Sequence, residues 1–246
     1  MSRLHLVVTA FILLAAGAPL VADPESREKI GEVQGKPVYR DEIRSKTKSA
    51  IATELHVLFA RPAAAKYRKR HKAEVEPTEA ELAAAQEVFD RQHAERIRDE
   101  LPELREKRAR IEEQLKAKDL SAEQREKLEH EREFLDLQRK PPGRMFASFM
   151  LKNWKFQKHL YDTYGGGRIL WQQAGLEAYD ANRKWLEDLE ANGEFKITDP
   201  KLRTAFYEYW NSQDGSPFLT EDPERIRKEF LEPEWAPAAK AKPDAK

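Results

Sequence analysis

The sequence predicts an all-α, mostly helical protein with one short β-like hairpin near residues 30–38. Three observations lead there. Apolar residues recur at helical spacing in every long segment after Arg40, two capping boxes stand directly before such segments, and Gly or Pro clusters end them.

Residues 1–22 carry Arg3, then an apolar run from Leu4 to Ala16, and end on Ala22 before Asp23. A basic start, a short apolar stretch and a small residue before a polar one form a secretory signal, predicted to be cleaved after Ala22. The destination is then periplasmic or secreted. An uncleaved anchor is the alternative, since Leu4 to Ala22 approaches the ~20 residues of a spanning helix, although His5, Gly17 and Pro19 weaken it. Cleavage removes one charge, Arg3, from 44 basic and 44 acidic side chains, so the mature chain stays near neutrality. Nucleic-acid binding calls for a basic face and a polyanionic surface for a similar bias. Neither nucleic acid nor, beyond the signal segment, membrane is therefore an expected partner. The chain has no cysteine, which excludes a disulfide framework and thiolate chemistry.

Residues 23–102 read as the first part of a helical module. Lys29 to Val38 alternates around Gln34-Gly35, where Gly35 supplies the positive φ of a hairpin turn. Asp41 to Phe59 places Ile43, Ile51, Leu55 and Leu58 on one stripe, with the helix expected to stop before Pro62. Thr78 with Glu81 is a capping box that starts the next helix at Glu79.

Residues 103–140 read as a charged helical hairpin. From Asp99 to Lys140 there are 11 basic and 13 acidic residues, with a thin seam of Leu104, Ile111, Leu115, Leu128 and Leu135. Balanced charge of this density reads as a solvated protruding arm. The turn falls near Asp119-Leu120-Ser121, and Ser121 with Gln124 caps the returning helix; Pro102 either opens the outgoing helix or kinks a longer one.

Residues 141–192 hold the aromatic helices expected to close the module. Between 145 and 164, Phe146, Phe149, Met150, Trp154, Tyr161 and Tyr164 share one broad face with Asn153, Gln157 and Leu160, and Phe156 starts a second row with Phe149. Gly165-Gly166-Gly167 reads as a helix-breaking turn, because the spaced glycines and Lys-Ser/Thr ending of a phosphate loop are missing. Leu176 to Asn192 reads as a helix. Residues 193–232 come next as a C-terminal helical segment, with an extended Phe195-Lys196-Ile197, an Asp199-Pro200 helix start and a last helix after Thr220; residues 233–246 read as a disordered tail.

No catalytic constellation emerges. None of the six histidines has another at metal-binding helical spacing, no serine sits in a Gly-flanked elbow, and no cofactor motif occurs, so no catalytic residue, metal or cofactor is expected. The aromatic helix has two readings: a core helix, or a groove for apolar segments of another polypeptide. On the second reading, the candidate binding residues are Phe146, Phe149, Met150, Trp154, Phe156, Tyr161 and Tyr164.

Two stretches resemble the N-terminal module of the SurA, PpiD and PrsA group of exported folding factors. The opening Val33-Gln34-Gly35-Lys36-Pro37-Val38-Tyr39-Arg40-Asp41-Glu42-Ile43 is similar to the family's Val-Asn-Gly turn and first helix start, with Gln for Asn and Tyr39 in place of the capping hydroxyl. The second is Tyr67 through His71 to Val75-Glu76-Pro77-Thr78-Glu79-Ala80-Glu81-Leu82, whose Pro-Thr-x-x-Glu start is the better match. The resemblance spans residues 30 to 90 and includes no parvulin domain. It implies a chaperone-like protein that binds unfolded or extended apolar polypeptide segments, with no defined contact residue carried over. The alternatives are a peptidyl-prolyl isomerase of unrecognised form and an envelope assembly scaffold with one fixed partner.

Overall fold

A computed structural model describes residues 27–172, 175–213 and 215–236. The predicted signal segment and the last ten residues of the predicted tail lie outside them. Within them the protein is mostly helical, with two small three-stranded antiparallel sheets.

The predicted hairpin is present as β1 (Lys29–Val33) and β2 (Lys36–Tyr39). Gln34 and Gly35 both take positive φ, 50° and 76°, the turn whose twist matches the strands. A third strand, β5 (Phe195–Ile197), pairs antiparallel with β1, so the sheet runs β2-β1-β5 and ties the start of the described chain to the segment that follows residue 194. Gly31 makes this packing possible: a Cβ there would press into the Lys196 carbonyl and the Phe59 ring.

After a short turn at Arg40–Glu42, helix α1 (Lys48–Leu55) runs through a π-helical segment, His56–Ala60, into α2 (Arg61–Arg70). The first helix thus starts later than Asp41 and does not stop before Pro62. The Arg61 amide bonds to the His56 carbonyl five residues back, and this wider turn makes room for the Pro62 ring without breaking the helix. Short α3 (Lys72–Val75) leads to α4 (Glu79–Ile97), whose capping box forms as predicted: Thr78 Oγ1 accepts from the Glu81 amide at 3.2 Å and the Glu81 carboxylate from the Thr78 amide at 2.6 Å.

Helices α5 (Leu101–Leu115) and α6 (Ala122–Arg139) form the charged hairpin. Pro102 lies in the first turn of α5, so it opens the outgoing helix and does not kink a longer one. Leu104, Ile111 and Leu135, with Leu115 and Leu128 beside them, make a small cluster separate from the main core. The aromatic helix α7 (Gly143–Thr163) packs along α4, held by Lys155–Glu81 at 3.0 Å, Lys152–Glu76 at 3.2 Å and an Arg144–Glu79 pair.

Gly165 to Gly167 all take positive φ and end α7 as a plain turn. Beyond this turn the chain departs from the all-α expectation. Ile169–Gln172 is strand β3 and Gly175–Glu177 is β4, so Leu176 belongs to a strand and α8 begins only at Tyr179 (Tyr179–Ala191). With β6 (Leu219–Thr220) they form the second sheet, β4-β3-β6. The chain continues through α9 (Pro200–Tyr207), capped by Asp199 Oδ1 from the Lys201 and Leu202 amides, and α10 (Tyr209–Ser212). It ends in α11 (Pro223–Ile226) with a π-helical continuation, Arg227–Leu231.

One core runs from Ile30 to Phe230 and includes the segment 193–232, so that segment closes the same module as α7 and α8. At its centre Phe195 meets both Phe59 and Phe206, with ring centroids 6.2 and 5.5 Å apart. The start of the predicted tail is ordered: Trp235 packs against Phe89 and Trp154, and Glu234 pairs with Arg91 and accepts from Gln92 at 2.9 Å. A tryptophan with an aromatic socket outweighs the Pro- and Lys-rich composition around it.

Candidate functional site

The seven aromatic-helix candidates do not converge on one surface. Phe146 and Phe149 are open, at 40% and 54% exposure, although the Phe146 ring also sits edge-on to Phe89. Met150 is half-buried beside Trp154 at a hollow of about 320 Å³ closed by Trp171, Leu176 and Trp235. Trp154 itself is buried, and its Nε1–H donates to the Phe230 carbonyl at 2.6 Å. Phe156 is buried against Trp185 and Tyr67. Half-buried Tyr161 packs on Phe230, and half-buried Tyr164 donates to Asp188 at 3.2 Å. A single open cradle along α7 is therefore corrected: α4, α8 and the C-terminal π-helical segment cover successive parts of it, leaving one face of its first turns, at Met145 and Phe149, exposed.

A larger concave feature lies elsewhere. An open cleft of about 890 Å³ runs beside the helical stretch 48–70 and faces α8 and α10. On the first wall, Ala52, Val57, Ala60 and Ala64 keep the helix surface low and apolar, with Lys48, Arg61 and Arg68 among them. The opposite wall offers Trp185, Leu186 and Trp210. Lys48 and Arg68, both in its lining, are separated by about 30 Å of helix, so the cleft is long. That length comes from the π-helical continuation across Pro62, which keeps the wall unbroken.

Polar groups enter from the second sheet. Glu177, at the end of β4, accepts from Tyr209 Oη at 2.8 Å and from the Gln172 amide. Burial pushes the Glu177 carboxyl above its ordinary value, against the opposing effect of the tyrosine hydroxyl. Burial raises Tyr209 strongly as well, and the Glu177 charge adds to it. Asn182 lines the cleft too and shares the Gln157 carbonyl oxygen with the Ala178 amide. His56 stacks on Trp210 and bonds through Nε2 to the Phe206 carbonyl at 2.9 Å; burial holds its pKa below the ordinary range, with that bond opposing.

An apolar cleft with a few fixed polar groups is a binding geometry. Within it Glu177 and Tyr209 satisfy each other, and Lys48 pairs with Glu208. Among the described residues no cluster of His, Asp and Glu is arranged to hold a metal ion, and no helix is long and apolar enough to cross a membrane. Sequence reasoning missed this site because its walls come from segments 48–68, 172–186 and 208–213. The available signal was the Ala60, Ala64 and Arg68 spacing, small residues and an arginine four apart on one face.

Comparison with protein-family models, curated proteins and solved structures finds no match to this chain.

Proposed function

We propose that this protein is an exported, chaperone-like polypeptide binder that holds unfolded or extended apolar segments in the cleft beside residues 48–70. The single observation that carries the reading is the shape and lining of that cleft: long, open and mainly apolar along about six turns of one helix. A small-molecule site is compact and enclosed, whereas an extended chain advances about 3.3 Å per residue and fills such a groove with about eight or nine residues. The resemblance to the SurA group and the signal pattern at residues 1–22 support the same reading and a periplasmic or secreted location. Clients would be held by apolar burial, worth roughly 25 cal/mol per Å² removed from water.

Ala64 is half-buried on the low wall, so Ala64→Trp fills the groove from a position that tolerates added volume. The variant should lose most of its capacity to suppress aggregation of a denatured outer-membrane protein while melting within a few degrees of wild type. Undiminished suppression would place client binding outside the cleft.

A second reading, a scaffold with one fixed partner, has one observation in its favour. Phe134 and Leu137 on α6, with Met145 and Phe149 on α7, are exposed on either side of the link between the arm and the module. A pull-down yielding one stoichiometric partner, lost in Phe134→Ser/Leu137→Ser, would support it.

A further inference from the structure

A single unpaired cation on a surface is ordinary; a run of them along one wall of a groove is a charged face. Residues 43–73, which carry the first wall of the cleft, hold nine Lys or Arg and one carboxylate, Glu54, in a chain of 44 basic and 44 acidic side chains overall. Charge is balanced over the whole chain and segregated here. Glu54 is already engaged, since its carboxylate accepts from the Arg44 and Ser45 amides at 2.9 and 3.1 Å. Two carboxylates from elsewhere reach the run: Glu208 pairs with Lys48, and Glu194 takes both Lys66 and Arg70, at 2.6 and 2.8 Å. The other six cations, Arg44, Lys46, Arg61, Arg68, Lys69 and Lys72, are exposed and have no ion pair among the described residues.

The same imbalance holds inside the cleft. Its lining includes two carboxylates, and both are engaged: Glu177 by Tyr209 Oη at 2.8 Å, and Glu208 by Lys48. Arg61 and Arg68 also line it and are not engaged by any carboxylate among the described residues. Arg68 does lie 3.9 Å above the Phe156 ring, a contact that supplies no counter-charge. The two arginines stand two helical turns apart, about 10 Å, which is the span of about three residues of extended chain. Ala64 lies between them and keeps the surface low, and Lys69 and Lys72 follow directly in the chain. A face of one sign beside an apolar groove complements an occupant of the other sign and raises its rate of arrival.

We infer that the cleft selects acidic polypeptide: extended segments whose apolar side chains enter the groove and whose Asp or Glu side chains meet the Arg61 and Arg68 guanidinium groups. This rests on the polypeptide-binding reading above and adds the charge of the client. Guanidinium suits the role because its planar fork takes a carboxylate bidentately. A single-stranded nucleic acid, also an extended polyanion, fits less well. Its bases stack on open aromatic rings, whereas Trp185 and Trp210 are each 4% exposed and the basic wall presents Ala52, Val57, Ala60 and Ala64. An anionic bilayer is flat, and Arg61 and Arg68 line a concave cleft.

The test is fluorescence anisotropy with a short labelled peptide of Phe, Leu and Ala, amidated at its C-terminus, that carries two Glu, two Gln or two Lys three residues apart. Wild-type protein should bind the Glu peptide about tenfold more tightly than the Gln peptide, and the Lys peptide least, the scale of two exposed charge pairs. The Glu-to-Gln ratio should shrink between about 0.02 and about 0.5 M salt, because exposed charges are screened. Arg61→Gln/Arg68→Gln should bring the ratio close to one. Arg105→Gln/Lys118→Gln, which removes the same charge from exposed positions on the arm, should keep it. Equal binding of the Glu and Gln peptides by wild type overturns the proposal while leaving the cleft a polypeptide site, and this comparison needs no variant to fold. Equal loss of the ratio in the arm variant overturns it too, in favour of overall charge. So does displacement of the Glu peptide by a single-stranded oligonucleotide or by phosphatidylglycerol vesicles as readily as by its unlabelled self, which would assign the wall to polyanions in general. Failure of all three peptides to bind overturns the polypeptide-binding reading, and this one with it.

Discussion

Trp154 and Phe156 stand two residues apart on α7 and serve different neighbours. Trp154 is held by the Phe230 carbonyl and by the Trp235 ring, whereas Phe156 is sandwiched between Trp185 and the Arg68 guanidinium. Phe149, of the same chemical type, is more than half exposed. Phe156→Ala should therefore cost about 3–5 kcal/mol in denaturant unfolding, and Phe149→Ala less than about 1 kcal/mol. Equal costs would mean that the two residues share one environment. His159 adds a titration. Burial, and next the neighbouring His71, hold its pKa below the ordinary 6.5, with Glu74 and Asp162 opposing. A folded-state pKa below the unfolded one means that the unfolded chain binds more protons, so this stability is present above pH 6.5 and lost as pH falls through and below it. Melting temperature should drop between about pH 7.5 and about pH 5.5, and His159→Gln should lessen the drop. An equally steep fall in the variant would remove His159 from the account.

The helices are most legible in sequence where a local signal fixes a local structure. Thr78 with Glu81 and Ser121 with Gln124 form their capping boxes, Asp199-Pro200 starts α9, and Gly165 to Gly167 stop α7. Strands β3 and β4 are not legible, because each is only three or four residues long and Leu176 also fits the stripe of α8. Ile169-Leu170-Trp171 between two glycine positions is the available strand signal. Pro62 misleads for a related reason: proline ends helices locally, and only the π-helical turn before it lets this one continue. The charged hairpin has its own small cluster, so its packing is largely internal. Replacing residues 103–140 with a short Gly-Ser link should leave the main melting transition within a few degrees of wild type. Loss of cooperative unfolding would show that the arm supports the module.

At the scale of the whole molecule, the start of the described chain is joined to residues 195–197 by the β1–β5 pairing, and α9 packs on α1. This long-range closure is what builds the cleft, since one wall comes from residues 48–68 and the other from residues beyond 172. No window of sequence contains both walls, which is why the aromatic helix, a concentrated local signal, draws a functional reading toward itself. The structure redistributes it: α7 supplies the floor at Phe156, and small residues on a different helix supply the groove. The central claim, that this groove holds extended polypeptide, is tested most directly by hydrogen exchange measured by mass spectrometry with and without a saturating unfolded client. Amides in 48–70 and in 182–186 should gain protection on binding, while those of the arm at 103–140 stay unchanged. Protection confined to 134–149, or absent from the cleft walls at saturation, would contradict it.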